Sequence, residues 1–337
     1  MPDAALVIQT AFLGDVVLTT PLLAALAQRH GAVDVVTTTA AAPLLETHPA
    51  VRRVIAYDKR GRDRGAAGLV RLARALRAGR YEVAYLPHRS LRSAVLARVA
   101  GVPRRIGFAD GWPLFYTEAR PRPREGHEVD RLLGLAGAPS GAFAPRLYPT
   151  AEDECIVDEK LAAAGITTPP VALAPGSIWG TKRWPYFAEL AAALAGRAAI
   201  VVVGSAEDVG LGEAVREAVG RTGGRALNGC GTLTLRQSAA LIGRARLLVT
   251  NDSAPLHLAT AMGTPVVALF GPTIAEFGFG PIREGDVALS VAGLSCRPCS
   301  AHGPRACPLG HHRCMKDLSV ASVLQAVEEV DAIRRRD

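Results

Sequence analysis

Short apolar runs rich in β-branched residues alternate with Ala/Leu-rich stretches along nearly the whole chain, and this alternation limits the fold more than any other feature. ALVIQ (5–9), VDVVTT (33–38), VIAY (54–57) and VAYLPH (83–88) read as strands, with helical stretches at 16–30, 66–79 and 91–100 between them. Strands apolar on both faces and separated by helices belong to a parallel sheet covered on both sides. A Pro/Gly/Arg-rich region, 103–126, interrupts the rhythm, and Thr167-Thr168-Pro169-Pro170 reads as a boundary. The alternation then restarts with VALAPGS (171–177), AIVVVGS (199–205), LLVTNDS (247–253) and PVVALFG (265–271). A last amphipathic helix, roughly 318–335, is placed to pack back across either domain. The pattern predicts two doubly wound α/β domains, 1–166 and 167–317, with 318–337 as a terminal helix.

The length of 337 residues agrees with two domains. The longest apolar stretches are cut by Gln9, Asp15 or Pro21 well before the ~20 residues of a membrane span. MPDAALVIQT carries no basic residue ahead of its apolar run, so a secretory signal is not expected and the chain reads as intracellular. Charge is divided unevenly. Residues 1–150 hold 21 Lys and Arg against 12 Asp and Glu, whereas residues 151–337 hold 18 against 19. A one-sided basic half points to an anionic partner: a nucleic acid, a membrane surface or a phosphorylated substrate. Nucleic-acid binding fits poorly, because aromatic residues are only 5% of the chain and no recognition motif is present.

No G-x-G-x-x-G follows the first strand and no G-x-x-x-x-G-K-[ST] occurs, which weakens the dinucleotide-dependent oxidoreductase and P-loop NTPase readings. The polar candidates fall instead at strand exits, where open α/β sheets bind ligands. LLVTNDSAPLHLATAMGTPVVALFGPT (247–273) is the strongest segment. Its strand ends in Thr250-Asn251-Asp252-Ser253, and Pro255 opens a helix whose N-terminus suits an anion such as a pyrophosphate. Asp252 or Ser253 could instead be only an N-cap, and His257, one turn in, only a surface residue. PGSIWGTKRWP (175–185) brings Ser177, Lys182 and Arg183 toward the same crevice, and Lys182 is one of only four lysines beside 35 arginines. A lysine at a helix N-terminus can neutralise a diphosphate leaving group. In FLGDVV, Asp15 follows the first strand, either as the cap of the next helix or as a general base facing an interdomain cleft.

FLGDVVLTTPLL, PHRSLRSAVLARVAGVPRRIGF, PGSIWGTKRWP, VVVGSAED and TNDSAPLHLATAMGTPVVALFGPT, in this order, resemble glycosyltransferase family 9, the ADP-heptose:lipopolysaccharide heptosyltransferases, and within it the heptosyltransferase II group. The resemblance runs through most of the chain. It implies a GT-B fold of two Rossmann-like domains facing a central cleft, with acceptor bound by the first and ADP-sugar by the second. It further implies inversion at the anomeric carbon, with Asp15 as base and Lys182 on the donor phosphates beside Ser177. Glu207 would bind the ribose, Asp252 would lie near the donor sugar, and Ser253 and Ala254 would form the backbone phosphate clamp, with His257 on a motif position. Many relatives have glycine where this chain has Ala254, and alanine lacks free access to positive φ. Arg92, with Arg89, Arg104 and Arg105, would contact acidic sugars or phosphates of a lipid-linked glycan at the inner leaflet. The function that follows is heptose transfer from ADP-heptose to a lipopolysaccharide core or related surface glycan, in the cytoplasm or at the inner face of its membrane. A nucleotide-sugar epimerase or a nucleic-acid-binding protein are the alternatives.

Cys296, Cys299, Cys307 and Cys314 cluster as C-x2-C-x7-C-x6-C, with His302, His311 and His312 among them. Four thiolates can complete a tetrahedral zinc site, although the second spacing is not that of a common zinc ribbon. Reduced thiols in a loop, or a redox-sensitive pair, are the other readings. If zinc is bound, the loop 294–316 depends on it for order, because it has few apolar residues of its own. Catalysis requires no cofactor. ADP binding is expected to be independent of this loop, since none of the donor contacts lies in it.

Overall fold

The computed structural model describes residues 4–334. The chain divides between Tyr148 and Pro149 into two units, each built on its own sheet. The first contains β1 (Ala5–Gln9), β2 (Val33–Thr38), β3 (Val51–Tyr57), β4 (Val83–Leu86), β5 (Arg104–Phe108) and β6 (Glu118–Arg120), ordered β3-β2-β1-β4-β5-β6. The second contains β7 (Val171–Ala174), β8 (Ile200–Val202), β9 (Ala226–Asn228), β10 (Leu247–Asn251), β11 (Val266–Leu269) and β12 (Val287–Leu289), ordered β12-β11-β10-β7-β8-β9. All pairings are parallel. Both units therefore follow one plan. The chain starts in the middle of the sheet, adds two strands on one side, and crosses back to add three on the other. Ligand crevices in such sheets open at the carboxyl ends beside the reversal, here between β1 and β4 and between β7 and β10.

The long apolar strands form where their side chains are buried on both faces, as every residue of β1 and β10 is. The 103–126 region is not an interruption: it supplies β5, a 3-10 turn at Pro113–Phe115, and β6. The helical stretch at 16–30 is two helices, Leu13–Leu18 and Thr20–His30. Pro21 lacks the N–H that a continuous helix would use, and Thr19 and Thr20 turn their hydroxyls onto the Asp15 and Val17 carbonyls at 2.7 and 2.8 Å. Gly31, at φ 73°, ends the second helix in a conformation open to glycine.

The division lies before the helix Ala151–Ala163, not at the 166/167 boundary expected. Thr150 caps this helix. Asp153 and Asp158 then accept bonds from Arg236 and Arg244 at 2.8 and 2.9 Å, which ties it to the helix Leu235–Arg244 of the second unit. The terminal helix Val320–Arg334 also belongs to the second unit; residues 335–337 of the expected helix lie outside the described residues. Its Val323, Ala326, Val327 and Val330 share one core with Trp184, Val267 and Leu269.

Candidate active site

In the second unit, three strand exits converge. After β7 the chain makes a 3-10 turn at Gly180–Lys182; after β10 come Asp252 and Ser253; after β11 comes Thr273. Lys182 Nζ and Thr273 Oγ1 each donate to Asp252 Oδ2 at 2.6 Å. Lys182 and Asp252 are both about nine-tenths buried, so the pair is mostly removed from water. Asn251 joins the loops: its Nδ2 donates to the Pro175 carbonyl at 2.9 Å, and its Oδ1 accepts from the Trp184 N–H at 3.0 Å. Ser177 is buried on the same turn, its Oγ accepting from Trp179 N at 3.2 Å. Asn251, Thr273 and Trp184 are additions to the expected set, and their partners lie too far along the chain for spacing to reveal them.

The helix Ala254–Met262 opens beside this cluster with no side-chain cap. Asp252 faces Lys182, and the Ser253 hydroxyl lies near the Asn251 carbonyl at 3.3 Å, so neither acts as the N-cap acceptor considered from the sequence. Ala254 is the first helical residue and has no positive φ, so this position does not require glycine. His257 is buried, edge-on to Phe279, and is not a surface residue. Glu207 stands exposed at the exit of β8, one strand from β7. Its neighbour Asp208 is buried, caps Ser205, and approaches Gly176 so closely that a Cβ there would lie 2.4 Å from its carboxyl.

In the first unit, Asp15 is the third residue of the helix that follows β1, inside it and not at its N-cap. Its Oδ2 accepts the Phe12 N–H at 3.1 Å. Burial, and then the charge of Glu128, push its carboxyl up to about 6, against smaller opposing effects of the Phe12 N–H and Arg122. Glu128 is buried and held by Arg122 at 2.5 Å and Arg131 at 3.5 Å. Beside β1, His88 contacts the hydroxyls of Thr10 and Ser93 at 3.4 and 3.5 Å, and burial plus Lys59 lower its imidazole to about 4. Lys59 itself donates to the Thr10 carbonyl at 2.7 Å.

The four expected acceptor arginines do not form one group. Arg92 contacts the Lys59 and Gly65 carbonyls at 3.4 and 3.3 Å, and Arg89 faces Asp110 at 3.5 Å. Arg104 and Arg105 begin β5 and lie level with Val83 and Ala84, hence with Ala5 at the start of β1. That is the amino end of the sheet, about four residues or roughly 13 Å from the end that carries Asp15. Arg105 spends its guanidinium on the Val102, Pro103 and Phe115 carbonyls.

The cysteine segment, read from the sequence as a zinc site, as reduced loop thiols or as a redox-sensitive pair, packs against the β7 and β11 exits. All four thiols are free, and among the described residues no three or more His, Cys, Asp or Glu side chains are gathered to hold a metal ion. Burial, with the other three thiols nearby, pushes Cys314 up to about 11, whereas backbone N–H groups from residues 309–312 lower Cys307. Protein hydrogen bonds tie the loop down. Arg297 donates to the Val291, Phe270 and Thr273 carbonyls at 2.7, 3.1 and 2.9 Å and also to that of Gly271. Nor is the loop independent of the donor residues, because His312 Nε2 donates to the Thr181 carbonyl at 2.8 Å, one residue before Lys182.

The profile of glycosyltransferase family 9 (heptosyltransferase) matches residues 69–308. Lipopolysaccharide heptosyltransferase 2 of Escherichia coli K12 is 27% identical over 332 residues, covering 84% of this chain and 91% of that protein. A family 9 glycosyltransferase structure from Veillonella parvula superposes with a TM-score of 0.85 at 25% identity, covering 98% of both chains. The structure of Escherichia coli ADP-heptose lps heptosyltransferase II superposes at 0.80 with 24% identity, covering 98% of this chain and 99% of that one.

Proposed function

The chain belongs to glycosyltransferase family 9, the heptosyltransferases, and from that premise we propose that it transfers heptose from ADP-heptose to a lipopolysaccharide core or related glycan. Its two doubly wound units are those of a GT-B enzyme. The observation that carries the donor assignment is the buried Lys182–Asp252 pair beside the uncapped start of the helix Ala254–Met262. A lysine ammonium has three donors, so it can keep Asp252 and still meet a phosphate oxygen. The helix start adds N–H groups and a favourable dipole for the diphosphate. Ser177, Ser253 and Ala254 line that start, Glu207 serves the ribose, and His257, within the helix, packs its first turn against Phe279.

In the first unit Asp15 is the base. With its carboxyl at about 6 it is mostly ionised near neutral pH yet basic enough to take a proton. It accepts the proton of the acceptor hydroxyl as that oxygen bonds to the anomeric carbon. The bond from that carbon to the diphosphate breaks on the opposite face, and Lys182 stabilises the charge left on ADP. Inversion follows from a single displacement. The residues that perform these steps are all side chains and backbone groups of the protein.

The basic charge of the first unit supports an acceptor site there, with Arg89 and Arg92 following β4 at the same end of the sheet as Asp15. No described helix is long and apolar enough to cross a membrane. Peripheral contact with the inner leaflet of the cytoplasmic membrane is supported by the turn at Pro113–Phe115, where Leu114 is 94% and Trp112 41% exposed. An exposed Trp and Leu beside arginines suit the headgroup region of an anionic bilayer. The epimerase and nucleic-acid alternatives gain nothing from the relatives. The test is turnover of purified protein with a panel of nucleotide sugars on a heptose-deficient lipid acceptor. ADP release that requires both ADP-heptose and acceptor is the expected result. Sugar release without acceptor, or preference for another nucleotide sugar, would overturn the reading.

A further inference from the structure

Apart from its ion pair with Asp252, Lys182 is held in place by a loop and not by a helix or strand. It ends a 3-10 turn of three residues at a strand exit, and a free lysine side chain has much rotamer entropy to lose. What surrounds it is the segment 290–312, which contains no helix or strand. This segment crosses the exits of both β7 and β11. Thr181 donates its hydroxyl to the Pro304 carbonyl and accepts at its own carbonyl from His312 Nε2 at 2.8 Å. A Cβ on Gly180 would lie 2.5 Å from the Arg305 carbonyl oxygen, and one on Gly303 would lie 3.5 Å from Lys182 Cε. On the β11 side, Cys299 N donates to the Pro272 carbonyl at 2.8 Å and Arg297 to that of Thr273 at 2.9 Å. Thr273 is the residue whose hydroxyl shares Asp252 Oδ2 with Lys182.

His312 is where the segment is fastened. A carbonyl only accepts, so the Nε2 that meets Thr181 carries the proton. The residue has φ 51°, and only Arg80 shares a positive φ among the described non-glycine residues. Its Cβ disfavours that conformation, which persists only where the surroundings hold it. We propose that His312 is a positioning residue for the donor diphosphate: through Thr181 it clamps the segment over Lys182 and fixes the ammonium against Asp252. The inference rests on the assignment of Lys182 to the donor phosphates. It adds a residue about 130 positions away in the chain, outside every strand-exit motif.

The experiment compares ADP affinity by calorimetry, and donor and acceptor KM, for Lys182→Ala, His312→Gly and His312→Gln. Glycine keeps the positive φ without strain while removing the imidazole and its N–H, so the backbone conformation is spared. The expected result is a rise of about tenfold in ADP Kd and donor KM for His312→Gly, the worth of one hydrogen bond of ~1.4 kcal/mol. Acceptor KM stays unchanged, and His312→Gln, which keeps an N–H at similar reach, restores most of the affinity. Thr181→Val removes the second fastening and shifts donor KM in the same direction. If His312→Gly lowers the melting temperature but leaves ADP affinity and donor KM at their starting values, the positioning role is wrong and the residue is structural. If Lys182→Ala itself leaves ADP affinity intact, the donor assignment fails instead, and the two failures are told apart.

Discussion

Asp15 and Asp252 occupy comparable places in two sheets of the same strand order, each just past the exit of a central strand. Their surroundings are opposite. Asp252 receives Lys182 and Thr273 on one oxygen, so its charge is matched on the spot. Asp15 receives only backbone N–H groups, chiefly that of Phe12, and has Glu128 as an electrostatic neighbour, while the nearby Arg122 is engaged by Glu128. A buried carboxylate with a cation is a counter-ion, which helps keep an ammonium charged and fixed. A half-buried carboxylate whose nearby cation is engaged elsewhere is suited to be a base, because poorer solvation makes it hold a proton more tightly. The scaffold supplies the position, and the residues brought in from elsewhere in the chain decide the chemistry.

The comparison breaks most visibly at Asp15. Asp15→Asn keeps an acceptor for the Phe12 N–H and removes the base, so kcat should fall by about 10²–10⁴-fold with ADP affinity unchanged. Normal turnover would leave Asp15 a purely structural helix residue. Next in size is Lys182→Ala, which strips ADP affinity and strands Asp252 in the interior at a cost of about 3 kcal/mol in folding stability. Adding Asp252→Ala should recover most of that stability but none of the ADP binding. Denaturant unfolding together with calorimetry reads both quantities, and recovery of ADP binding in the double variant would contradict the counter-ion role.

A smaller effect lies in pH. Activity should rise with pH through about 6 as Asp15 ionises, and Glu128→Gln should move this limb toward lower pH by removing a like charge. A pH–rate profile unchanged by Glu128→Gln would detach Glu128 from the base. The sign for stability is reversed. The folded state holds the Asp15 proton more tightly than the unfolded chain does, so this contribution is full below 3.8 and lost as pH rises through about 6. At most about 3 kcal/mol is involved, and Asp15→Asn should remove that slope and stabilise the protein near neutral pH. The smallest effect is expected on the rim of the first unit. Leu114→Asp should weaken binding to anionic vesicles several-fold in a sedimentation assay and leave turnover of a detergent-solubilised acceptor unaltered.

Much of the fold was legible because the central strands are long enough to show continuous apolar runs. What escaped notice was short or sits at the sheet edge: β6, β9 and β12 have three residues each, and β5 lies among prolines and arginines in 103–126. The helix Ala151–Ala163 was placed with the wrong neighbour because its ion pairs reach Arg236 and Arg244, more than eighty residues on. At the candidate site, the positions of Lys182, Asp252 and Asp15 past strand exits were readable from the sequence. Thr273, Glu128 and His312 were not, since each acts on a residue remote in sequence. Arg104 and Arg105 could have been placed from chain direction alone. Residues that begin a strand lie at the end of a parallel sheet away from the ligand crevice.

The helix Val320–Arg334 has a consequence for how the protein is made. It contributes Val323, Ala326, Val327 and Val330 to a core whose strand and helix members from Val171 to Leu269 are translated well before it. The first unit has all its residues by position 148, whereas the core of the second lacks its 320–334 members until the end of the chain is made, so Val267 and Leu269 are expected to stay uncovered longer. In vectorial synthesis that interval is when a nascent chain is most open to proteases, chaperones and premature association with its neighbours. Replacing Val323 or Val327 by aspartate would prolong the interval indefinitely, and the second unit, together with its Lys182 loop, would be the part of the enzyme that fails to mature.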